Sequence, residues 1–506
     1  MACLPSLRRA GWLAGAVVLL AAAACAPEYR PTWLGGTAGS GASGTFGRGG
    51  KVFSDVLLTG RTFTNGVAVA TATFHVSDMS RARIGVDFNR DGQVDPVVAY
   101  GGPRGVFQIL LSQGVAGRVG FVNLTLDGGE NAWRNLADVA VGDIDGDGNL
   151  DLIGAAQDGL IYMRHPSDRT RTHVLSEWGH DRGALELLAG STDTLSPDEQ
   201  FAIVQQNLGP LVNLDNYVVT VEQGYTRVII ADFDNDGRND VAASRRLRMS
   251  LEPAPGKNVQ PVSITAGSIQ VLFNPGNAQT GEGWTATIVS QHERHAVSDR
   301  EGAAGLFAAD LDGDGDLDLV SLARDDVNAQ LAWFENPGGP GRVDTAVPWR
   351  QYRIGSIRRG FGLEVADLTG DGRLDVVATS PEQKQMVLFV QPSTGPQRAY
   401  DWFSAPIATF TSFEPLDVKA LDVDADGVLE LIVGGTGGAL RAFESPTDPT
   451  TTWAARVITT FDPPGDVGLI GYGDLDGDGD LDLLAVVNAD DDLNDRLMWV
   501  RNELIR

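Results

Sequence analysis

Cysteine is nearly absent from this chain of 506 residues: there are two, Cys3 and Cys25, and both lie at the N-terminus. Around them, Arg8 and Arg9 precede the apolar run Ala10 to Cys25, which is too short to cross a membrane and ends in small residues. Residues 1–24 are therefore expected to be a signal peptide. Its removal excludes a disulfide within one mature chain, although the compartment is oxidising, and excludes a cysteine nucleophile. Basic residues are also scarce, 39 against 67 acidic ones, for a net charge of -28, and such a chain offers no basic face to nucleic acid. Histidines number six. His165, His173 and His180 fall in one repeat, and His292 and His295 form HERH, which lacks the spacing of a zinc protease. Surface or packing roles suit them better than ligation. No phosphate-cradling glycine loop, nucleophile elbow or dinucleotide fingerprint is present outside one Gly/Ser-rich stretch. Disorder is not the cause of the acidity, because 42% of the residues are apolar, ample for a core.

Cys25 resembles the lipid-attachment cysteine of bacterial lipoprotein signals. Where that pattern carries Leu, this chain has Ala22, so lipidation and plain cleavage both fit. The segment after it, Gly35 to Gly50, is rich in Gly and Ser, and residues 25–50 are expected to form a flexible tether, lipid-anchored or free. Residues 51–506 are then the folded body, exported and held in the cell envelope or at the cell surface, or else secreted or periplasmic. A lipid anchor is its only expected membrane contact.

One phrase fills that body. It begins at Asp87, Asp143, Asp232, Asp310, Asp367, Asp422 and Asp474, for example as DIDGDGNLD and DLDGDGDLD, at intervals of 56, 89, 78, 57, 55 and 52 residues. Self-similarity at a nearly fixed period marks a repeat architecture. Short apolar strand patterns flank each copy, so the phrase is the turn of a hairpin. A third strand follows, as in LAWFEN and MVLFVQ, commonly stopped by Pro, and a fourth completes the unit. Seven units of four strands predict an all-β, seven-bladed β-propeller. The last repeat runs out before its fourth strand, and Val67–Phe74 keeps the fourth-strand offset from the first complete repeat. An N-terminal strand there is expected to close the ring.

Alternating oxygen ligands with Gly at the sixth position suit Ca²⁺. An EF-hand is excluded, since position 12 holds Val98, Gly154, Ala243, Ser321, Ala378, Val433 and Ala485, and the flanks are strands. The last acid stands at position 9. These loops resemble the FG-GAP or VCBS repeats of bacterial surface proteins and the propeller of integrin α chains. The resemblance implies one Ca²⁺ per blade, up to seven, held by side chains at positions 1, 3, 5 and 9 and the carbonyl at position 7. It assigns the metal to Asp143, Asp145, Asp147 and Asp151; Asp232, Asp234, Asp236 and Asp240; Asp310, Asp312, Asp314 and Asp318; and Asp474, Asp476, Asp478 and Asp482. The loop of Asp422, Asp424 and Asp426 ends in Glu430. Two loops have a neutral third position and are expected to be weaker: Asp87, Asn89, Asp91 and Asp95, and Asp367, Thr369, Asp371 and Asp375.

These loops hold 26 of the 67 carboxylates, so the remainder, 41 acids against 39 bases, is nearly balanced. The ions are expected to be structural rather than catalytic, and no catalytic residue or other cofactor is assigned. Trp284, Trp349, Trp402 and Trp453 recur before the fourth strand, with Trp333 and Trp499 in the third, and repetition favours packing over sugar stacking. Specificity falls to the irregular parts, residues 183–223 and 245–267 and the acidic loop Asn488 to Asp495. The expectation is a monomeric, calcium-stabilised module, not an enzyme, that binds a protein or glycan outside the cytoplasm. The alternatives are a polysaccharide-active, lyase-like enzyme on the same scaffold, which needs a basic cleft with a Tyr, Lys, Arg or His base, and a surface lectin with a pocket per blade.

Overall fold

The computed structural model describes residues 86–100, 105–115, 118–127, 136–157, 159–179, 212–276, 283–290, 302–323, 329–338, 349–395, 401–462, 464–475, 480–488 and 496–502, the short strands at 44–46, 51–57, 62–64, 67–69, 79–83 and 186–187, and residues 201, 202, 204, 205 and 209. Within these the protein is an all-β propeller. Each acidic phrase joins two antiparallel strands, as expected of a hairpin. In the Asp310 repeat the strands are Ala303–Ala309, Asp318–Ala323, Ala329–Glu335 and Arg350–Ile357, paired in that order. The same order recurs in the Asp87, Asp143, Asp232, Asp367 and Asp422 repeats. The first strands of successive repeats touch one another around a closed ring, which returns from Asp466–Gly473 to Met79–Arg83.

The expectation of seven four-stranded blades needs correction. Among the described residues six sheets are four-stranded blades. The Asp474 repeat gives three strands, Asp466–Gly473, Asp482–Asn488 and Arg496–Asn502, to a five-stranded sheet with Lys51–Leu57 and Gly44–Phe46. Nor is Val67–Phe74 the strand beside the last repeat. Lys51–Leu57 pairs with Arg496–Asn502, with Phe53 opposite Asn502 and Leu57 opposite Met498. Val67–Val69 pairs instead with Thr62–Thr64, and residues 70–74 lie outside the described residues. Equal spacing along the chain did not identify the partner, because an antiparallel ladder is set by which edge is open and not by chain offset. Gly44–Phe46 belongs to the stretch expected as a tether and pairs with Lys51–Leu57. The signal peptide, Cys25 and residues 26–43 lie outside the described residues.

Apolar side chains pack between blades. Leu322, Trp333 and Ile354 of the Asp310 blade meet Val376, Ala378 and Phe389 of the Asp367 blade in one buried cluster. Trp284, Trp349, Trp402, Trp453, Trp333 and Trp499 are all buried, and Trp333 stacks on Tyr352 at 4.8 Å. None of these six is free to stack on a sugar.

The Asp232 blade is longer than the rest, with strands Tyr217–Ala231, Asp240–Pro253 and Val262–Phe273. Its extension turns at residues 254–261, between second and third strands. The connection at 188–216 joins one blade's fourth strand to the next blade's first. In an up-and-down blade both kinds of turn lie at the end opposite the acidic loops. There they pack together: Val204, Val212 and Leu214 cover Leu247, Met249, Leu251 and Ile264.

Candidate metal centres

In each of the six fully described loops the backbone is drawn into a tight curl around the first carboxylate. Asp143 accepts the amides of Gly146 at 2.8 Å and Gly148 at 2.9 Å, and Asp310 accepts those of Gly313 and Gly315. Position 6 requires glycine, because φ there is positive: +83° at Gly148 and +99° at Gly315. Position 5 turns onto the amide two residues on, Asp147 accepting Asn149 N at 2.7 Å. The ninth residue opens the second strand, or in the Asp87 loop stands two residues before it, and is almost fully buried in every described loop. It is a staple. Asp318 accepts the amide of Leu311, inside the loop, at 3.1 Å, and that of Asn336, at the end of the third strand, at 2.8 Å. Asp95, Asp151, Asp240, Asp375 and Asp482 each bridge loop and third strand in the same way.

Four loops bring three carboxylates together, with one oxygen of each within 4.8 Å of the others: Asp143, Asp145 and Asp151; Asp232, Asp234 and Asp240; Asp310, Asp312 and Asp318; and Asp422, Asp424 and Glu430. In these four loops positions 1, 3 and 9 therefore converge. The position-5 residues Asp147, Asp236, Asp314 and Asp426 stand outside these groups, and Asp236 is paired with Arg238. The Asp87 and Asp367 loops form no such triad, as their neutral third residues dictate. In the first, Asn89 donates to Asp91 at 3.0 Å; in the second, Asp371 is paired with Arg373. In the last loop Asp474 and Asp482 are described, whereas Asp476 and Asp478 lie outside the described residues.

The electrostatics ask for a cation. Burial pushes Asp95, Asp151 and Asp318 up to about 8, Glu430 to about 8, Asp240 to about 7 and Asp375 to about 6, with neighbouring loop carboxylates raising them further. Asp145, Asp234 and Asp312 are raised as well, first by burial and then by the adjoining carboxylate. Three hard, mutually repelling oxygens on a rigid hairpin fit a divalent ion such as Ca²⁺. Positions 1, 3 and 9 would hold it, and it would supply positive charge that fixes the hairpin.

Of the histidines, His165 is buried against Phe88 and Trp178, next to Thr172 and the Pro166 carbonyl, and burial lowers its pKa, so it packs as a neutral ring. His173 is exposed; His180, His292 and His295 lie outside the described residues. Sequence reasoning missed the amides at the ends of the third strands, Asn274, Asn336, Gln391 and Asn502. Their signal was an Asn or Gln recurring where the strand stops, three times just before Pro.

Residues 310–378 and 422–485 match the FG-GAP-like repeat family. No curated protein matches the chain. Similar solved structures include BBS1N in complex with ARL6DN, soaked with lead (13% identity, 84% of this chain and 94% of that one, TM-score 0.44), and the BP39L lectin from Burkholderia pseudomallei (14% identity, 83% and 96%, TM-score 0.45). Neither likeness informs function. With its repeats matched in two places and its sheets arranged as blades, the chain is an FG-GAP repeat β-propeller.

Proposed function

We propose that the protein is an exported propeller, stabilised by Ca²⁺, that binds a protein or glycan outside the cytoplasm and carries out no chemistry. The observation that carries this is the separation of tasks along the blade axis. The carboxylate triads sit in the hairpins at one end, where strands are pinned, and the described residues of the two irregular insertions, among them Val204, Val212, Leu247 and Met249, pack into a platform at the other. A rigid scaffold that displays irregular loops suits recognition. Structural ions would replace the disulfides an exported chain of this composition lacks. At free Ca²⁺ ten times a site's dissociation constant, one site contributes about 1.4 kcal/mol, and the four triads together about 6 kcal/mol.

The exposed side of the platform carries Arg248, Glu252, Lys257 and the half-exposed Val218. A glycan array and a pull-down against envelope proteins, run with the wild type and with Arg248→Glu/Lys257→Glu, test the reading. Binding that the double variant loses while its melting curve holds supports it. Release of unsaturated sugars from a uronate polysaccharide would replace it with a lyase. The mass of the mature N-terminal peptide decides whether Cys25 is lipidated.

A further inference from the structure

We infer that the side-chain amides of Asn274, Asn336 and Gln391 lock the loops of four consecutive blades into one calcium-responsive unit, which ends at Ser445. This rests on the loops binding Ca²⁺, as proposed above. Each of these residues stands where the third strand of its blade ends. Its backbone N–H donates to the position-9 carboxylate of its own blade: Asn274 to Asp240 at 2.8 Å, Asn336 to Asp318 at 2.8 Å, Gln391 to Asp375 at 2.9 Å. Its side chain crosses to the preceding blade and donates to the position-2 carbonyl of that loop. Asn274 reaches Ile144 O at 2.7 Å, Asn336 reaches Phe233 O at 2.8 Å and Gln391 reaches Leu311 O at 2.7 Å.

Position 2 lies between two candidate ligands, so its carbonyl moves with them. Its amide in turn donates to the position-9 carboxylate of that loop, as Ile144 does to Asp151 at 3.0 Å and Phe233 to Asp240 at 2.9 Å. The bonds therefore alternate without a gap from Asp151 through Ile144, Asn274, Asp240, Phe233, Asn336, Asp318, Leu311 and Gln391 to Asp375. A fixed ligand in one loop restrains the ligands of the next.

The donor half of the amide makes every crossing, while the oxygen serves only its own segment where it is used at all: Asn274 Oδ1 accepts Gly276 N at 2.9 Å and Asn336 Oδ1 accepts Gly338 N at 3.2 Å. Gln391 Oε1 is buried without a hydrogen-bond partner, as is Oδ1 of Asn502, which makes the same crossing to Val423 O at 2.8 Å. Asn502 joins the Asp474 loop to the Asp422 loop. Between the Asp422 and Asp367 blades the equivalent residue is Ser445, whose hydroxyl faces Pro446 O at 3.5 Å in its own chain segment. A hydroxyl on one carbon cannot span the boundary. At Ser445 the relay thus separates a block that contains the Asp143, Asp232, Asp310 and Asp367 loops from the pair of the Asp422 and Asp474 loops.

The test is amide hydrogen exchange, read by mass spectrometry on peptides covering each loop, as metal-free protein is titrated with CaCl₂. In the wild type the four loops of the block should gain protection at a common midpoint, distinct from that of the Asp422 loop. Asn336→Ala should split the block, displacing the Asp143 and Asp232 loops from the Asp310 and Asp367 loops by about fivefold in calcium, the worth of one hydrogen bond. If Asn336→Ala does not fold, Gln391→Met, of similar size but without the donor, asks the same question one boundary later and should separate the Asp367 loop. Loops that titrate independently in the wild type, or a block that stays together in the variant, overturn the coupling while leaving calcium binding intact. No response to calcium in any wild-type loop overturns the calcium reading itself, and the coupling with it.

Discussion

Asp417 accepts the backbone amide of Ile470, in the first strand of the next repeat, at 2.9 Å. Asp138 does the same for Val228, ninety residues on, at 3.1 Å. Both acids stand five residues before an acidic loop, on the first strand, and both are buried. They stitch neighbouring blades. Asp138→Ala leaves the Val228 amide without this acceptor in a buried setting and should cost about 1–3 kcal/mol. Asp138→Asn, which keeps an oxygen, should cost less. Urea denaturation of the two variants checks the order; equal losses would mean that packing, and not the bond, is what Asp138 provides.

Calcium removal should be severe. Chelation is expected to lower the melting temperature by tens of degrees, and Ca²⁺ should restore it better than Mg²⁺, which prefers octahedral sites and keeps its waters. The sites should differ. Asp312→Ala breaks a triad and should abolish one tight site in a calorimetric titration, whereas Thr369→Ala perturbs a loop that forms no triad. Equal losses in the two variants would contradict that ranking.

In the metal-free protein the pH dependence follows from the staples. A carboxylate that titrates near 3.8 when unfolded is pushed up to about 8 at Asp318 by burial, and to about 7 at Asp240. The folded state therefore keeps protons that the unfolded state has released. Its stability is full below pH 3.8 and is lost as pH climbs toward 8. Metal-free protein should melt higher at about pH 5 than at about pH 8, and the gain from added Ca²⁺, which displaces these protons, should be larger at about pH 8. Differential scanning at the two values, with and without Ca²⁺, reads the sign directly.

Position 4 of the loops also takes positive φ, +73° at Gly146, +78° at Gly313 and +71° at Gly370, but in the Asp422 loop it is Ala425, at +56°. A left-handed alanine costs about 1–2 kcal/mol. At Gly313 and Gly370 a Cβ would meet nothing within 4 Å, so at this position the strain lies in the backbone alone. Ala425→Gly should stabilise the protein by up to about 1 kcal/mol, after the greater freedom of glycine in the unfolded chain is deducted. A lower denaturation midpoint would show that the loop does not hold this conformation in solution.

The loops were legible in the sequence because their chemistry is local. Nine residues carry the turn, the glycine and the carboxylates, and convergence of Asp310, Asp312 and Asp318 needs nothing from elsewhere. What escaped was non-local. Asn336 before Pro337 reads as a strand stop, and its reach to Phe233 exists only once the neighbouring blade is in place. Lys51–Leu57 carries no sign of its partner, since a strand records which face it buries but not which edge it joins. Asp236 reads as a ligand equal to Asp234, yet the nearby Arg238 engages it.

Ring closure makes the last prediction, with the strand now identified. Arg496–Asn502 is bonded on one side to Asp482–Asn488 and on the other to Lys51–Leu57. Without the second partner its outer N–H and C=O groups would be unpaired, and an open edge of that length templates association. Asn502 lies in that strand and reaches the Asp422 loop through Val423 O, so loss of the neighbour should also loosen a candidate metal centre. A chain that begins at residue 44 should elute as the untruncated protein does and melt with it. One that begins at residue 58 should aggregate, or melt lower, with weaker protection of the Asp422 loop by calcium. Size-exclusion elution and thermal unfolding of the two truncations separate these outcomes. A shorter chain that remains monomeric and equally stable would show that Lys51–Leu57 decorates the sheet without closing the ring.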